Sequence, residues 1–422
     1  MGTLLFHNTS QVVTCAGAGR ARRGEELREL GLIEHGAVLV ANGRIVSCGP
    51  LDTLEQLAPA AARVDCGGGV LLPGLVDSHT HAVFGKPRFE EQEMRGAGHD
   101  YMTIAAHGGG IHASVRDLRA KTEDELVALA LPRLHRLARY GTTTLEIKSG
   151  YGLTLDDELK TLRAIRRLSA LVPLRLVPTF LGAHEIPHEA RATPSGRREY
   201  LDLIVRHMIP RVQAEGLAVF ADVFCEPGVF TVEETREILS AARGAKLGLK
   251  LHADELKPSG GAELAAQLGA TSADHLGAVS DAGIAALAVA PTVATLLPGT
   301  MLFLGKGQQA PARRLVEAGV ALALATDFNP GTSPTPNFPL VLTLGVSLLK
   351  LTVAEVIVAS TVNGAAALGL AHEVGQLAKG YSADLALFEV QDVREIPYWY
   401  GDLRCSRSWV RGIEVSRGAL AT

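Results

Sequence analysis

Two histidines two positions apart are the first residues whose types and spacing could do chemistry. The motif His79-Thr80-His81 directly follows an apolar run. In an extended backbone alternate side chains point to the same side, so His79 and His81 project together while Thr80 points away. Two imidazoles on one face can bind one metal ion. The pair alone also fits two ordinary surface or core histidines, because short motifs match by chance.

Later stretches of the chain supply more polar residues directly after apolar runs, among them His252, Glu255 and His275. Asp327 follows six apolar or small residues, and an unpaired carboxylate there would be costly, so it should meet a cation. His79, His81, His252 and Asp327 together offer three nitrogens and one oxygen, a set suited to zinc or iron with a position left for water. The sequence therefore predicts one divalent zinc ion or iron ion per subunit and does not choose between them.

The elements that must position these residues are predicted as buried strands alternating with helices between residues 70 and 330. Near-continuous apolar runs are expected of parallel strands buried on both faces. There are eight such runs: Leu71 to Val76, Thr142 to Ile147, Leu174 to Phe180, Ala218 to Phe224, Leu247 to Leu251, Thr271 to Asp274, Thr292 to Leu297 and Val320 to Ala325. Eight strands with intervening helices predict an α/β fold, a (β/α)8 TIM-type barrel of about 250 residues. The polar candidates then follow strand ends, where barrel enzymes place catalytic groups.

Both ends of the chain are β-rich. Residues 37–49 hold two β-rich runs joined by Asn42-Gly43, a strong hairpin signal. Near the other end, Ser382 to Val390 and Trp409 to Val415 are predicted as short strands, and Val353 to Leu370 as a helix. We expect a small composite β-sandwich domain from residues 1-70 and 371-422, beside a metal-dependent catalytic barrel of residues 71-370.

Composition excludes several classes of protein. The chain has 422 residues, 47% hydrophobic and 20% charged, which rules out wholesale disorder. A net charge of -4 and 5% aromatic residues argue against nucleic-acid binding. Five scattered cysteines without a CxxC motif suggest neither a disulfide framework nor a cysteine zinc site. With no signal-peptide pattern at the start, we expect a cytoplasmic protein.

One uncharged stretch, Ala282 to Gly305, is long enough for a membrane span, since about 20 residues suffice. Pro291, Pro298 and internal glycines divide it into a helix ending near Val289 and a strand. We therefore predict buried core there, with a membrane span as the alternative.

The sequence resembles the amidohydrolase superfamily and, within it, the imidazolonepropionase family, over nearly its whole length. The broader likeness comes from Leu72 to Asp77 leading into His79-Thr80-His81, and from Gly375 to Gly380 followed by Ala383-Asp384-Leu385. The narrower likeness rests on six motifs in order: Phe84 to Arg88, Gly108 to Ile111, Glu146 to Gly152, Phe180 to His184, His252 to Glu255 and Asp327 to Thr332.

The resemblance implies metal-dependent hydrolysis of the ring C–N bond of 4-imidazolone-5-propanoate to N-formimidoyl-L-glutamate, in L-histidine degradation. It implies that Arg88, Tyr151 and His184 contact the propionate arm and ring of this small anionic substrate. A guanidinium suits that task because it binds a carboxylate bidentately. Taken singly, each of these three residues also fits a purely structural role. The resemblance also implies a homodimer. It implies further residues of the substrate pocket, which are Asn329, Gly331, Thr332 and Tyr101, the last in a glycine-rich loop.

The resemblance also suggests proton-transfer roles. Asp327 is placed to accept a proton from the attacking water. His275 could support Asp327 or polarise the electrophilic carbon, and Glu255 could hold the ring nitrogen or relay a proton to it. The sequence does not divide these roles. No lysine lies on the fourth predicted strand, where related binuclear barrels often carry a bridging lysine, so one ion is favoured; Glu226 or Lys148 could still support a second.

Other functions stay open at this point. Another amidohydrolase, such as a cyclic-amide hydrolase or a nucleobase or guanidine deaminase, would differ in its substrate profile. A catalytically dead barrel used as an assembly scaffold is a different class, against which the presence of all four candidate ligands argues. The glycine run Gly108 to Gly110 is not a lipase oxyanion loop, because no GxSxG motif occurs. It is expected to be a lid hinge or a plain surface loop.

Overall fold

The structure, a computed structural model, describes residues 2–99, 103, 108–305 and 307–415. Its central element is an eight-stranded parallel sheet in which each strand pairs with the next in sequence. The strands are β8 (Leu75–Asp77), β9 (Thr142–Lys148), β10 (Arg175–Ala183), β11 (Phe220–Cys225), β12 (Gly248–Ala253), β13 (Ser272–His275), β14 (Val293–Leu296) and β15 (Ala321–Leu324). Beyond the strand ends, His81 N donates to Phe328 O at 2.8 Å and Asp327 N to His79 O at 3.0 Å. These bonds join the first strand to the last, and the predicted barrel is confirmed.

The prediction of one continuous strand from Leu71 to Val76 is wrong. It divides at Gly74 into β7 (Val70–Pro73), which pairs with strands of the terminal domain, and β8 of the barrel. A Cβ atom on Gly74 would lie 2.1 Å from Thr143 Oγ1, so only glycine lets the two chain segments approach here. An apolar run does not reveal that its two halves belong to different sheets.

Most helices follow the barrel strands and cover the outside of the barrel, whereas the first one packs on a sheet formed by the N-terminal segment. They are α1 (Leu51–Leu57), α2 (Phe89–Gly96), α3 (Ile111–Arg119), α4 (Glu123–Ala138), α5 (Leu155–Leu171), α6 (His188–Arg191), α7 (Gly196–Leu203), α8 (Ile209–Glu215), α9 (Val232–Gly244), α10 (Gly261–Gln267), α11 (Asp281–Val289), α12 (Pro298–Phe303), α13 (Ala312–Glu317), α14 (Phe338–Ser347), α15 (Val353–Ala359) and α16 (Val362–Ala366). The helix predicted from Val353 to Leu370 is two helices, because Thr361 leaves the helical conformation at φ -124° and ψ -85°.

Two further sheets are built from the ends of the chain, the first from the N-terminal segment alone and the second from both ends. One is four-stranded and the other six-stranded, in the orders β5-β4-β1-β6 and β18-β17-β16-β7-β2-β3. Their remaining strands are β1 (Thr3–His7), β2 (Gln11–Val13), β3 (Leu32–Glu34), β4 (Ala37–Ala41), β5 (Arg44–Gly49), β6 (Ala62–Asp65), β16 (Leu385–Phe388), β17 (Arg407–Val410) and β18 (Ile413–Glu414). The predicted hairpin is confirmed, with positive φ at Asn42 and Gly43 as its tight turn requires.

The two terminal sheets share a core in which Phe6, Val38, Leu71, Leu385 and Trp409 are buried together. This is the β-sandwich that the sequence predicted from both termini. The exact domain limits, 1-70 with 371-422 and 71-370, stay a prediction, and strand β7 crosses the first of them.

The uncharged stretch from residue 282 to residue 305 folds into parts of α11, strand β14 and α12. Strand β14 is completely buried among its barrel neighbours. Among the described residues, no helix combines the length and apolar character that a bilayer crossing requires. The predicted division into a helix and a strand is confirmed, and the strand is buried as predicted, whereas Val289 and Leu302 in the helices on either side are exposed. All five cysteines are free.

Candidate active site

Three strand ends bring His79, His81, His252 and Asp327 together. The Nε2 atoms of His79 and His81 lie 3.3 Å apart, and Oδ1 of Asp327 lies 3.6 Å from each. One ring nitrogen of each of the three histidines lies within 4.8 Å of the others. All four side chains are buried. Thr80 points away and donates to Glu146 O at 2.5 Å, as the alternation of an extended chain requires.

The chemistry of these four side chains fits a zinc or iron ion. Burial lowers the pKa of His79 and His81 well below the ordinary value, which leaves neutral imidazoles with a free lone pair. Nε2 of His252 is buried without a hydrogen-bond partner among the described residues. Such a group is costly unless something binds it. A divalent cation would satisfy this nitrogen and the Asp327 carboxylate together.

The backbone is strained where strands β13 and β15 end. His275 has φ 75° and Asp327 has φ 51°, in the left-handed region that non-glycine residues avoid. Thr300 Oγ1 donates to Asp327 Oδ2 at 2.6 Å and fixes the carboxylate. Burial raises the pKa of Asp327 to about 6. Strain of this kind persists where the surroundings over-determine a residue, typically at functional sites.

Glu255 and His275 lie at the same end of the barrel. His275 Nε2 is 3.6 Å from Glu255 Oε2, and its ring centroid is 5.3 Å from that of His79. Glu226 accepts hydrogen bonds from the backbone N–H groups of Glu255 at 3.1 Å and Lys257 at 2.8 Å. Burial, followed by the charges of Asp327 and Glu226, raises the pKa of Glu255 to about 8. Glu226, a possible support for a second ion, thus binds the Glu255 loop with both oxygens.

Tyr151 and His184 form an aromatic wall beside His81. The His184 ring stacks on His81 with centroids 5.1 Å apart and an angle of 17° between planes. The Tyr151 ring lies 5.8 Å from His81 and 5.5 Å from His184. The loop that carries Tyr151 is held by the buried Glu158, which accepts from the backbone N–H groups of Gly150, Gly152 and Leu153 at 2.8–3.1 Å. Sequence reasoning missed Glu158, a buried acid on helix α5.

Arg88 reaches the loop after strand β15. Its backbone N–H donates to Pro330 O at 3.0 Å, and its guanidinium lies so close to Gly331 that a Cβ atom there would overlap Nη2. Only glycine at position 331 leaves room for the Arg88 guanidinium. Arg88 Nε is buried without a hydrogen-bond partner among the described residues, 3.7 Å from Glu91 Oε1. A cavity of about 220 Å³ opens beside this guanidinium.

Asn329 uses its whole amide within its own loop. Oδ1 accepts from Gly331 N at 2.8 Å and Thr332 N at 2.7 Å, while Nδ2 donates to Asp327 O at 2.7 Å and Thr332 Oγ1 at 2.8 Å. These bonds fix the shape of the loop, and the roles of Asn329, Gly331 and Thr332 in lining the substrate pocket stay predictions. Tyr101 lies outside the described residues.

The glycine run adopts backbone conformations that favour glycine. Gly108 and Gly110 have φ 81° and 73°, and Gly110 N donates to Glu91 Oε1 at 2.7 Å. Helix α3 begins at Ile111. The role of the run as a lid hinge stays a prediction.

Deeper in the barrel lies a group of ionic residues that sequence reasoning missed as a unit. We call it the buried charge cluster: Glu146, Lys148, Asp222, Lys250 and Asp274, all 0–1% exposed. Lys148 Nζ lies 2.8 Å from Glu146 Oε2 and 2.6 Å from Asp222 Oδ2, so this lysine is paired rather than free to bridge two ions. A charged residue inside an otherwise apolar strand needs a partner, and that requirement was the available signal.

Comparison with known proteins agrees with this geometry. The amidohydrolase family model matches residues 70–404. The imidazolonepropionases of Symbiobacterium thermophilum and Bacillus velezensis are 48% and 46% identical to this chain, and each alignment covers 94% of this chain and 93% of the relative. The chain belongs to the imidazolonepropionase family of amidohydrolases. The family resemblance inferred from the sequence motifs is confirmed.

Solved structures similar to this imidazolonepropionase-family chain share its fold. An adenosine deaminase from Xanthomonas campestris with bound zinc has a TM-score of 0.71 at 20% identity, covering 97% of this chain and 92% of its own. Guanine deaminase of E. coli has a TM-score of 0.74 at 15% identity, covering 98% and 99%. At such low identity these likenesses establish the architecture alone.

Proposed function

We propose that this protein is an imidazolonepropionase, which adds water to 4-imidazolone-5-propanoate, opens the ring C–N bond and releases N-formimidoyl-L-glutamate. The observation that carries this conclusion is the 48% identity to an imidazolonepropionase over 94% of the chain. The site is compatible with it, because candidate metal ligands, titratable groups and an arginine lie together at one end of the barrel. The cytoplasmic location and the homodimer stay predictions.

In this proposal His79, His81, His252 and Asp327 hold one zinc or iron ion. The ion, when bound, would supply a water with a lowered pKa and polarise the bond under attack. Arg88 binds the propionate carboxylate and thereby sets the position of the ring. Tyr151 and His184 line the face of the ring on the side of His81.

Asp327 accepts the proton of the attacking water, because its Oδ1 lies 3.6 Å from Nε2 of both His79 and His81, beside the place where the ion and its water would lie. Glu255, with a pKa of about 8, carries a proton at neutral pH and donates it to the leaving ring nitrogen. Burial lowers the pKa of His275, so His275 is neutral and can donate one N–H to the carbonyl oxygen. This assignment divides the two roles that the sequence left open.

The direct test is a substrate panel with freshly generated imidazolonepropionate, guanine, adenosine and a cyclic amide, together with metal analysis of the same sample. We expect imidazolone loss with formation of N-formimidoyl-glutamate at a kcat/KM at least about 10⁴-fold above the others, in the range by which polar sites reject wrong substrates. Ammonia release from a purine at comparable efficiency would establish a deaminase instead. Absence of turnover on every substrate by metal-loaded protein would favour the scaffold hypothesis.

Replacing Arg88 tests carboxylate recognition. We expect Arg88→Met to lower kcat/KM about 10²-fold, because truncating one partner of a desolvated charge pair costs about 2–5 kcal/mol. Arg88→Lys should lose less, since an ammonium keeps the charge but not the bidentate geometry. The control is 4-imidazolone without the propionate arm, on which wild type and both variants should be equally active. An equal loss on that truncated substrate would contradict the assignment.

The pH profile tests Glu255. Since the protonated carboxyl is the active form, activity should be present below pH 8 and decline as the pH rises through the Glu255 pKa of about 8. We expect Glu255→Gln to lower kcat about 10²-fold and to remove this alkaline limb. Glu226→Gln, which removes a neighbouring negative charge, should move the limb to lower pH. An alkaline limb that survives unchanged in Glu255→Gln would assign it to another group.

A further inference from the structure

Two carboxylates of the buried charge cluster each contact one of the candidate metal-binding histidines. Asp274 Oδ2 lies 2.6 Å from His79 Nδ1. Asp222 Oδ2 lies 3.0 Å from His252 Nδ1, and its Oδ1 accepts from His252 N at 3.2 Å. The aspartates come from different strands, β11 and β13, and each approaches a different histidine.

Both carboxylates approach the Nδ1 atom of their histidine. A carboxylate is acceptor-only, so a neutral imidazole beside it places its proton on Nδ1 and leaves the Nε2 lone pair for a metal. Nε2 of His79 is the atom near His81 and Asp327. Both ring nitrogens of His252 are buried without a well-aligned hydrogen bond among the described residues, and it is the 3.0 Å approach of Asp222 Oδ2 to Nδ1 that leaves Nε2 for a metal. Nε2 of His79 thus lies on the side where the candidate ligands meet, and one ring nitrogen of His252 lies within 4.8 Å of the ring nitrogens of His79 and His81.

The rest of the cluster holds the two aspartates in place. Lys148 Nζ lies 2.6 Å from Asp222 Oδ2 and 3.6 Å from Asp274 Oδ2, so one ammonium contacts both carboxylates. Lys250 Nζ donates to Ser78 O at 2.9 Å, just before His79, and lies 3.9 Å from Asp274 Oδ2. Glu146 Oε2 binds both ammonium groups, at 2.8 and 2.9 Å.

Three carboxylates and two ammonium groups in a dry interior are costly to bury and stabilise only as a paired set. An apolar interior would build the same barrel at lower cost, so stability alone does not account for the cluster. The contacts of the cluster with His79 and His252 account for its presence, because residues behind a metal-binding histidine orient its ring.

We propose that Asp222 and Asp274 are positioning residues for the metal centre, each holding one histidine with Nε2 toward the ion. Lys148, which contacts both carboxylates, holds the two aspartates in place. The proposal rests on the metal site of the proposed function. It concerns metal affinity rather than turnover, so the two can fail separately.

The experiment measures zinc binding by metal-depleted protein in competition with a chromophoric chelator, without substrate. We expect Asp222→Asn and Asp274→Asn each to weaken Zn²⁺ binding about 10–100-fold, the usual cost of losing such a partner. Substitution with Co²⁺ gives a second measurement, since a tilted or retautomerised imidazole changes the visible absorption of the bound cobalt.

Glu146→Gln is the matched control. It removes the same negative charge from the same cluster and weakens both lysine contacts, yet among the described residues Glu146 makes no hydrogen bond to a histidine. We expect the melting temperature to fall as it does for the aspartate variants, while zinc affinity stays within about threefold of wild type. A loss of zinc affinity equal to that of Asp222→Asn would show that the cluster acts through charge alone and would overturn the proposal.

A charge-balanced double variant covers the case in which Asp222→Asn does not fold. Asp222→Asn with Lys148→Met removes one charge of each sign, so we expect it to fold with weakened zinc binding. Recovery of wild-type zinc affinity in this double variant would overturn the positioning role. Wild-type protein that turns over imidazolonepropionate without binding Zn²⁺ or Fe²⁺ would overturn it too, while leaving the proposed reaction standing.

Discussion

Removal of the bound metal is expected to lower turnover of imidazolonepropionate by more than about 10³-fold, because a catalytic ion contributes several kcal/mol of transition-state stabilisation. Dialysis against a chelator followed by the substrate assay measures this loss. Readdition of one equivalent of Zn²⁺ or Fe²⁺ should restore the activity, and a plateau at one equivalent would agree with a single ion per subunit.

Two controls separate loss of the metal from loss of the fold. The circular dichroism of the depleted protein should match that of the native protein, since the candidate ligands extend from a barrel with its own packed core. Mg²⁺ should restore little activity, because an octahedral, oxygen-seeking ion suits three imidazoles poorly. Full activity after exhaustive depletion, with metal content verified, would contradict a metal-dependent mechanism.

Asp327→Asn is expected to lower kcat about 10³–10⁴-fold, toward the upper end of what a general base contributes. The amide keeps the shape of the side chain and can still accept from Thr300 Oγ1, which is 2.6 Å from the native carboxylate. It cannot accept a proton from water at neutral pH. The kinetics must be measured on protein whose metal content has been determined, because Asp327 is also a candidate ligand.

Asp384→Asn provides the comparison for this variant. Asp384 is equally buried, at 3% exposure, but lies in the terminal β-sandwich, where it accepts from Ser382 Oγ and Arg411 N. Its amide variant should change stability without changing kcat. Near-normal turnover by fully metal-loaded Asp327→Asn would show that another group takes the proton.

The fold could be predicted from the sequence because its two signals, the apolar runs of the strands and the turn residues of the hairpin, are both local. Seven of the eight apolar runs overlap single barrel strands, since strands buried on both faces must be continuously apolar. The hairpin at Asn42-Gly43 is likewise specified by its own turn residues. The predictions were wrong where neighbours in space decide, as at Gly74, where one run serves two sheets, and at Thr361, where one apolar stretch becomes two helices.

The candidate site divides in the same way. His79 and His81, His252, and Asp327 could be chosen from sequence alone, since polar residues interrupt apolar runs at strand ends and share the same end of a barrel. Only the tertiary structure paired Asp274 with His79 and Asp222 with His252, placed Glu226 under the Glu255 loop, and set Arg88 over Gly331. The physical reason is that a residue's type limits which partner it needs, whereas the partner's identity depends on distances across strands far apart in the chain.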